Sequence, residues 1–199
     1  MRTYYTQKLE QYGQTPRGVD WNSEDAQQVR FTQVLSICAD DPGFTLNDLG
    51  CGYGALVDRL DLLPGFASYV GYDIATAMID AGRTRYGGRS DVRFTEVLDD
   101  VPISDYTVAS GIFSVKGDVP VDAWARYVHD TIDLLAALSR NGFAFNCLSG
   151  FSDPERMRDD LYYADPHALF DRCRQRYSRN VALLHDYGLY EVTIRVRLD

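Results

Sequence analysis

The sequence contains little lysine and no long apolar segment. Of its 20 basic residues only Lys8 and Lys116 are lysines. No stretch approaches the roughly 18 consecutive apolar residues that a membrane helix requires. The N-terminus also lacks the apolar centre of a secretory signal peptide. We therefore expect a cytoplasmic protein without a membrane partner.

Cysteines are few and widely separated. The closest two, Cys38 and Cys51, are 13 residues apart, and the others are Cys147 and Cys173. This spacing matches neither a zinc site nor a redox dithiol, so no metal is expected. In a reducing compartment such residues are usually free, buried thiols.

Charge and length restrict the protein further. The 199-residue chain has a formal net charge of −9. An acidic surface repels phosphate backbones, so we expect no nucleic-acid partner. A hydrophobic fraction of 45% with 25% charged residues is typical of a globular protein. The length predicts one domain, which we divide into a helical lid (1–40) and a core (41–199).

Predicted strands and helices alternate from residue 44 onward. The strands are expected at 44–50, 68–74, 92–97, 106–112 and 143–148. The helices are expected at 53–62, 76–85 and 122–139. Before them, the sequence predicts helices over 3–12 and after Asn22 or Ser23, either of which can cap the second helix. This alternation favours an α/β three-layer sandwich with a mostly parallel sheet.

The last segment has a different pattern. Two strands, 181–187 and 190–198, are joined only by Gly188 and Leu189, which predicts an antiparallel hairpin. Apolar and polar residues alternate in the final strand. That alternation predicts a half-covered strand near the edge of a seven-stranded sheet.

A glycine-rich turn follows the first strand of the core. Asp48 precedes Gly50, Gly52 and Gly54. Glycines allow the backbone to approach a ligand closely, and open α/β sheets bind ligands at the carboxyl ends of their strands. Asp73 ends the next strand, where a carboxylate can accept both hydroxyls of a ribose. The alternatives are a tight turn without a ligand and an Asp73 that only caps the following helix.

Together these residues resemble the class I S-adenosylmethionine-dependent methyltransferases. In that family an acidic residue and one further residue precede Gly-x-Gly-x-Gly, and a second acid binds the ribose. The terminal hairpin also fits, and the resemblance covers residues 44–199. It implies a Rossmann-like fold, S-adenosylmethionine as the cofactor and S-adenosylhomocysteine as the product.

The resemblance also implies roles for individual residues. Asp48 would hold the amino group of the cofactor, Asp73 its ribose, and Ile74 and Met78 its adenine. The remaining residues expected at the cofactor are Tyr12, Trp21, Gly50, Cys51, Gly52, Gly54, Ser110, Gly111 and Ile112. Tyr12 and Trp21 belong to the lid, where aromatic faces suit a sulfonium or simply pack on the sheet.

The expected activity is methyl transfer to an oxygen or nitrogen of a small molecule. His185 is the candidate general base, because it lies late in a strand that should run parallel to the first. A structural role is the alternative for this histidine.

Two other functions stay open from the sequence. One is a non-catalytic module that binds S-adenosylmethionine or S-adenosylhomocysteine. The other is an NAD(P)-dependent oxidoreductase, because Gly50, Gly52 and Ala55 also match Gly-x-Gly-x-x-Ala. The position of Asp48, the terminal hairpin and the lack of room for a second catalytic domain favour the methyltransferase.

Overall fold

The computed structural model describes residues 1–21 and 23–198. Its centre is a seven-stranded sheet. The strands are β1 (Phe44–Leu49), β2 (Phe66–Tyr72), β3 (Val92–Thr95), β4 (Ser104–Ala109), β5 (Ser139–Leu148), β6 (Val181–Leu184) and β7 (Glu191–Arg197). The helices are α1 (Arg2–Tyr12), α2 (Glu24–Leu35), α3 (Val57–Leu60), α4 (Thr76–Tyr86), α5 (Val121–Ala137) and α6 (Pro166–Arg176).

The strand order is β3-β2-β1-β4-β5-β7-β6. Strands β1 to β5 are parallel, and β7 runs antiparallel between β5 and β6. The predicted α/β sandwich with its antiparallel C-terminal pair is therefore confirmed. The order reverses between β1 and β4, which is where open α/β sheets form a ligand crevice.

Helices cover both faces of the sheet. One core lies under α2, α3 and α4, and the other lies under α5 and α6. The connection between β3 and β4 contains only a short turn, Leu98–Asp100, in place of a helix. Consequently the face of β1 and β2 on the α5 side is only partly covered.

The predicted helix over 53–62 is mostly wrong, because only α3 is helical there. Gly52 and Gly54 have φ values of +55° and +83°. Left-handed residues cannot continue a right-handed helix. The chain instead turns through bonds from the Gly54 N–H to the Cys51 carbonyl and from the Val57 N–H to the Gly54 carbonyl.

The prediction of a half-covered final strand is also wrong. Glu191 and Thr193 are 3% and 0% exposed, although β7 does lie near the edge of the sheet as predicted, next to the edge strand β6. Helix α2 covers this face, and its Arg30 pairs with Glu191 at 2.6 Å. A charged residue in an alternating pattern resembles an exposed position, whereas here an ion pair allows its burial.

The N-terminal elements differ in burial. Helix α1 contains no buried residue, whereas α2 buries Phe31, Val34 and Leu35 against the sheet. Ser23 caps α2 by accepting a hydrogen bond from the Ala26 N–H at 3.1 Å. The other predicted cap, Asn22, lies outside the described residues. No helix within 1–21 and 23–198 is both long and apolar enough to cross a membrane.

Candidate functional site

Two adjacent spaces open where the strand order reverses. The narrow cavity, about 60 Å³, lies between the glycine turn and the loop after β4. The groove, about 450 Å³ and mostly apolar, follows the partly covered face beside α5. Tyr5, Gly50, Asp73 and Ile112 line both spaces, so the two are continuous at the carboxyl ends of the strands.

The floor of the narrow cavity is the glycine turn. The N–H groups of Gly50 and Cys51 both donate to the Tyr72 carbonyl, at 2.7 and 3.0 Å, which fixes the turn to β2. Gly50 has φ +79°, and a Cβ there would lie 2.1 Å from Ile112 Cγ2. Backbone conformation and space therefore both require glycine at this position.

Asp73 connects the turn to the next strand. Its carboxylate accepts hydrogen bonds from the Gly52 N–H at 3.0 Å and from the Ala75 N–H at 2.8 Å. Burial raises the Asp73 pKa, and these two N–H groups partly offset the rise. Asp73 thus contacts both the glycine turn and the start of α4, while it also lines the cavity.

Asp48 supplies a second carboxyl group beneath the turn. It is 4% exposed and accepts a hydrogen bond from the Tyr69 hydroxyl at 2.9 Å. Burial raises its pKa to about 7, although the Tyr69 hydrogen bond acts in the opposite direction. Two carboxyl groups in one cavity suit a cationic group such as an ammonium or a sulfonium.

The far wall is the loop after β4. The Gly111 N–H donates to Asn146 Oδ1 at 2.9 Å, and Asn146 Nδ2 donates to Ser110 Oγ at 3.1 Å. Asn146 is 1% exposed at the end of β5. This side chain therefore fixes the conformation of the wall without lining the cavity itself.

The roof includes Trp21. A Cβ on Gly111 would lie 2.4 Å from Trp21 Cζ2, so the indole lies directly against the far wall. The Arg30 guanidinium lies 4.2 Å from the centre of the indole ring. The Arg30 guanidinium therefore occupies one face of the Trp21 indole.

Most residues expected at the cofactor come together here. Those that line the narrow cavity are Trp21, Asp48, Gly50, Cys51, Gly52, Asp73, Met78, Ser110, Gly111 and Ile112. Ile74 lines the groove.

Three expected residues line neither space. Tyr12 is 36% exposed at the end of α1, beside Lys8. Gly54 faces the core, since a Cβ there would lie 2.5 Å from the Phe94 ring, so packing accounts for this glycine. His185 is exposed just after β6. Strand β6 is four positions from β1 in the sheet, which is about 19 Å at about 4.8 Å per strand. The centre of the His185 ring lies 6.0 Å from that of the Phe151 ring.

The narrow cavity is also lined by Gln27 and Tyr53, which the sequence did not predict there, and by Tyr5. Gln27 lies four residues before Phe31 and so continues the buried face of α2. A polar residue on an apolar helical face was the available signal for it. Tyr5 lies on α1, and the signal for it is the concentration of aromatic residues in the first 21 positions, Tyr4, Tyr5, Tyr12 and Trp21.

Similarity to known proteins shows the family of the chain. No protein-family model matches the chain. The chain is 52% identical over 159 residues to a Mycobacterium tuberculosis protein named "Putative methyltransferase Rv1506c", a match that covers 80% of this chain and 95% of that protein.

Solved structures with the same fold are much more distant in sequence. The Synechocystis PCC 6803 magnesium protoporphyrin IX methyltransferase with bound S-adenosylhomocysteine has a TM-score of 0.67 and 14% identity, covering 100% of this chain and 98% of that one. The N-methyltransferase NodS of Bradyrhizobium japonicum WM9, also with S-adenosylhomocysteine, has a TM-score of 0.67 and 12% identity, covering 99% and 97%.

Proposed function

The chain belongs to the methyltransferase family and has the class I fold of the S-adenosylmethionine-dependent enzymes, and from this premise we propose that it methylates an oxygen or nitrogen of a small molecule. The observation that carries the proposal is Asp73, a carboxylate that binds the glycine turn and lines both spaces. Family membership removes the nicotinamide-dependent alternative.

The residues present fit the cofactor. Gly50 allows the glycine turn to lie directly against Ile112, where a Cβ would be 2.1 Å from Cγ2, and Asp48 and Asp73 make the cavity suitable for a cation. In this proposal Asp48 binds the amino group, Asp73 binds the ribose hydroxyls, and Ile74 and Met78 flank the adenine. When bound, S-adenosylmethionine supplies a methyl carbon activated by a positive sulfur, ready for in-line displacement.

The chain's own part is to position and enclose the reactants. Ser110, Gly111 and Ile112 form the wall next to which the acceptor would bind, and Asn146 holds that wall. Trp21 would exclude water from above. We propose that the lid comprises residues 1–21 rather than 1–40. Helix α2 is packed on the sheet and therefore belongs to the core.

His185 stays a predicted general base without contact to the cavity. It could act only on an acceptor that extends from the far wall to β6. The proposed acceptor class is a small molecule rather than a nucleic acid, since the net charge of −9 opposes a phosphate backbone. Among the fold's solved examples, two are named for magnesium protoporphyrin IX and N-acetylserotonin. Free, buried cysteines fit the proposed cytoplasmic location.

Thermal unfolding with added ligand tests the proposal. At about 100 times its dissociation constant, S-adenosylhomocysteine should stabilise the protein by about 2.7 kcal/mol. For a chain of this length the melting temperature should rise roughly 5–10 °C. NAD and NADP serve as controls and should give no rise. Absence of a rise with S-adenosylhomocysteine would contradict the proposal, and release of S-adenosylhomocysteine from a small-molecule panel would distinguish an enzyme from a binding module.

A further inference from the structure

A second pocket lies at the edge of the sheet opposite the narrow cavity and contains three arginines. Its volume is about 260 Å³, and its lining includes Arg179, Arg195 and Arg197. Strand β7 runs antiparallel to β5, so Arg197 lies beside the start of β5 and Glu191 lies beside its end. Arg195 and Glu191 are four residues apart, which is about 14 Å along a strand. This basic pocket is therefore separate from the proposed cofactor site.

Arg195 is held in the basic pocket by the end of α2. Its Nη1 donates to the Ser36 carbonyl at 3.1 Å and to Ser36 Oγ at 3.0 Å. Both acceptors are uncharged, so they leave the positive charge of Arg195 in place. Its Nε is buried and has no hydrogen-bond partner among the described residues. The pocket therefore contains a positioned cation with a buried, unused donor, which is costly unless a ligand accepts from it.

The other two arginines add positive charge that is only partly compensated. Arg179 is exposed and makes no hydrogen bond or ion pair within residues 1–21 and 23–198. Arg197 Nη1 lies 3.9 Å from Asp41 Oδ2, and Asp41 also accepts a hydrogen bond from the Tyr106 hydroxyl. In the described part of the chain no other acid lies within ion-pair distance of these three arginines. Three positive charges therefore surround the pocket against one negative charge.

This concentration of positive charge contrasts with the rest of the protein, whose formal net charge is −9. Like charges around one pocket repel each other, and an anion placed between them replaces that repulsion by attraction. The unused Arg195 Nε adds a directed hydrogen bond to this attraction. The basic pocket is therefore suited to an anionic ligand.

The donors and the lining indicate which anion fits. A guanidinium presents its five N–H donors in a planar fork that matches the oxygens of carboxylate and phosphate. A carboxylate has two oxygens, whereas a phosphate monoester has three acceptor oxygens and up to two negative charges, so it can bind several arginines at once. Ile37, Val181 and Ala182 also line the pocket. An apolar group attached to the phosphate would therefore contact apolar side chains.

We propose that the basic pocket binds the phosphate group of a small phosphate monoester. Arg195 Nε donates to one phosphate oxygen, and Arg179 and Arg197 bind the other oxygens from the exposed side. Inorganic phosphate has the same chemistry, and the experiment below distinguishes it from an ester. The proposal does not depend on methyl transfer.

Calorimetric titration of the full chain in a phosphate-free buffer tests the proposal. The probes are phenyl phosphate and inorganic phosphate, with benzoate as the carboxylate control. Phenyl phosphate should bind with a dissociation constant below about 1 mM, and benzoate should bind more weakly. Tighter binding of phenyl phosphate than of inorganic phosphate would support an ester as the ligand, whereas equal binding would support free phosphate.

Two variants locate the binding. Arg179→Gln removes an exposed side chain without a partner, so it should fold normally and weaken phenyl phosphate binding about tenfold, as for the loss of one hydrogen bond between charged groups. Arg195→Lys keeps the charge but lacks Nε, and it should weaken binding by a similar factor. Arg126→Gln, an exposed position on α5, changes the net charge equally and should leave the affinity unchanged.

Three outcomes would overturn the proposal. The first is a wild-type protein that does not bind phenyl phosphate at millimolar concentration. The second is equal weakening by Arg179→Gln and Arg126→Gln, which would mean that only net charge matters. The third concerns Asp199, which lies outside the described residues. If phenyl phosphate binds only to a chain that ends at Leu198, the pocket is not a phosphate site in the full chain.

Discussion

The floor and the roof of the narrow cavity are built in different ways. The floor, residues 44–54 with Asp73, is part of the parallel sheet, and its backbone bonds join residues about 20 positions apart along the chain. The roof, residues 1–21, lies on α4 through side chains such as Tyr5 and Leu9. Helix α1 buries none of its residues. The floor can therefore change only with the fold, whereas the roof can open at small cost.

Asp20 holds the roof together. Its carboxylate accepts a hydrogen bond from the Tyr4 hydroxyl at 2.7 Å and pairs with Lys8 at 2.6 Å. Both partners lie on α1, and their contacts with Asp20 are part-exposed. Exposed pairs of this kind change the free energy of unfolding little, whereas the buried carboxyl group of Asp48 in the floor should lower it strongly when ionised.

The largest expected effect is a pH dependence of the free energy of unfolding caused by Asp48 in the floor. The folded pKa of Asp48 is about 7, against a reference value of 3.8, so the folded state binds this proton more tightly. The free energy of unfolding should therefore fall as pH rises from about 4 to about 7. The fall should be on the order of 4 kcal/mol. Urea unfolding at pH 5 and pH 8 measures the part of this fall that lies between the two pH values, about 2.6 kcal/mol.

Asp48→Asn should remove this pH dependence and leave the variant more stable than the wild type at pH 8. Asp118→Asn removes the same charge from an exposed loop and should keep the wild-type slope. A slope that persists in Asp48→Asn would assign the titration to another group.

Two glycine-to-alanine substitutions compare how tightly the floor and the roof are packed. Gly50 and Gly13 both have positive φ, but a Cβ on Gly50 would meet Ile112, whereas one on Gly13 would meet nothing within 4 Å. We expect Gly50→Ala to cost about 3 kcal/mol, from left-handed strain plus overpacking. Gly13→Ala should cost about 1 kcal/mol, from strain alone. Equal losses in chemical unfolding would mean that the floor is no more tightly packed than the roof.

The difference between floor and roof also explains what the sequence could predict. Asp48, the glycines and Asp73 lie at strand ends in a local pattern, so their position followed from the pattern alone. Gln27 lines the cavity only because α2 packs across the sheet, and Glu191 is buried only because Arg30, 161 residues away, pairs with it. Such partners depend on tertiary packing, which local alternation does not contain.

Gly54 is a residue that the motif predicts at the cofactor but that does not line the cavity. It matches the motif as well as Gly50 does, yet the side chain next to it is Phe94 of the core, whereas the side chain next to Gly50 is Ile112, which lines the cavity. The motif therefore predicts glycine at both positions. Only the structure shows which side chain lies next to each glycine.

A smaller effect is expected at Asp73. Asp73→Asn keeps an oxygen that can accept one backbone hydrogen bond but loses the charge and one acceptor. S-adenosylhomocysteine affinity should fall about a hundredfold, as for the loss of one strong hydrogen bond to a charged group. Calorimetric titration of the variant checks this, with Asp80→Asn, an exposed position on α4, as the control. Unchanged affinity would show that Asp73 serves only the turn.

The smallest expected effect lies in the roof. Asp20 has φ +63°, a conformation that asparagine also tolerates, so Asp20→Asn removes the Lys8 ion pair with little backbone strain. The free energy of unfolding should change by less than about 1 kcal/mol, while amide exchange across α1 should become faster. Moderate salt should reduce the difference between variant and wild type, because part-exposed charges are screened. Unchanged exchange in α1 would mean that apolar packing of Tyr5 and Leu9, rather than Asp20, holds the roof in place.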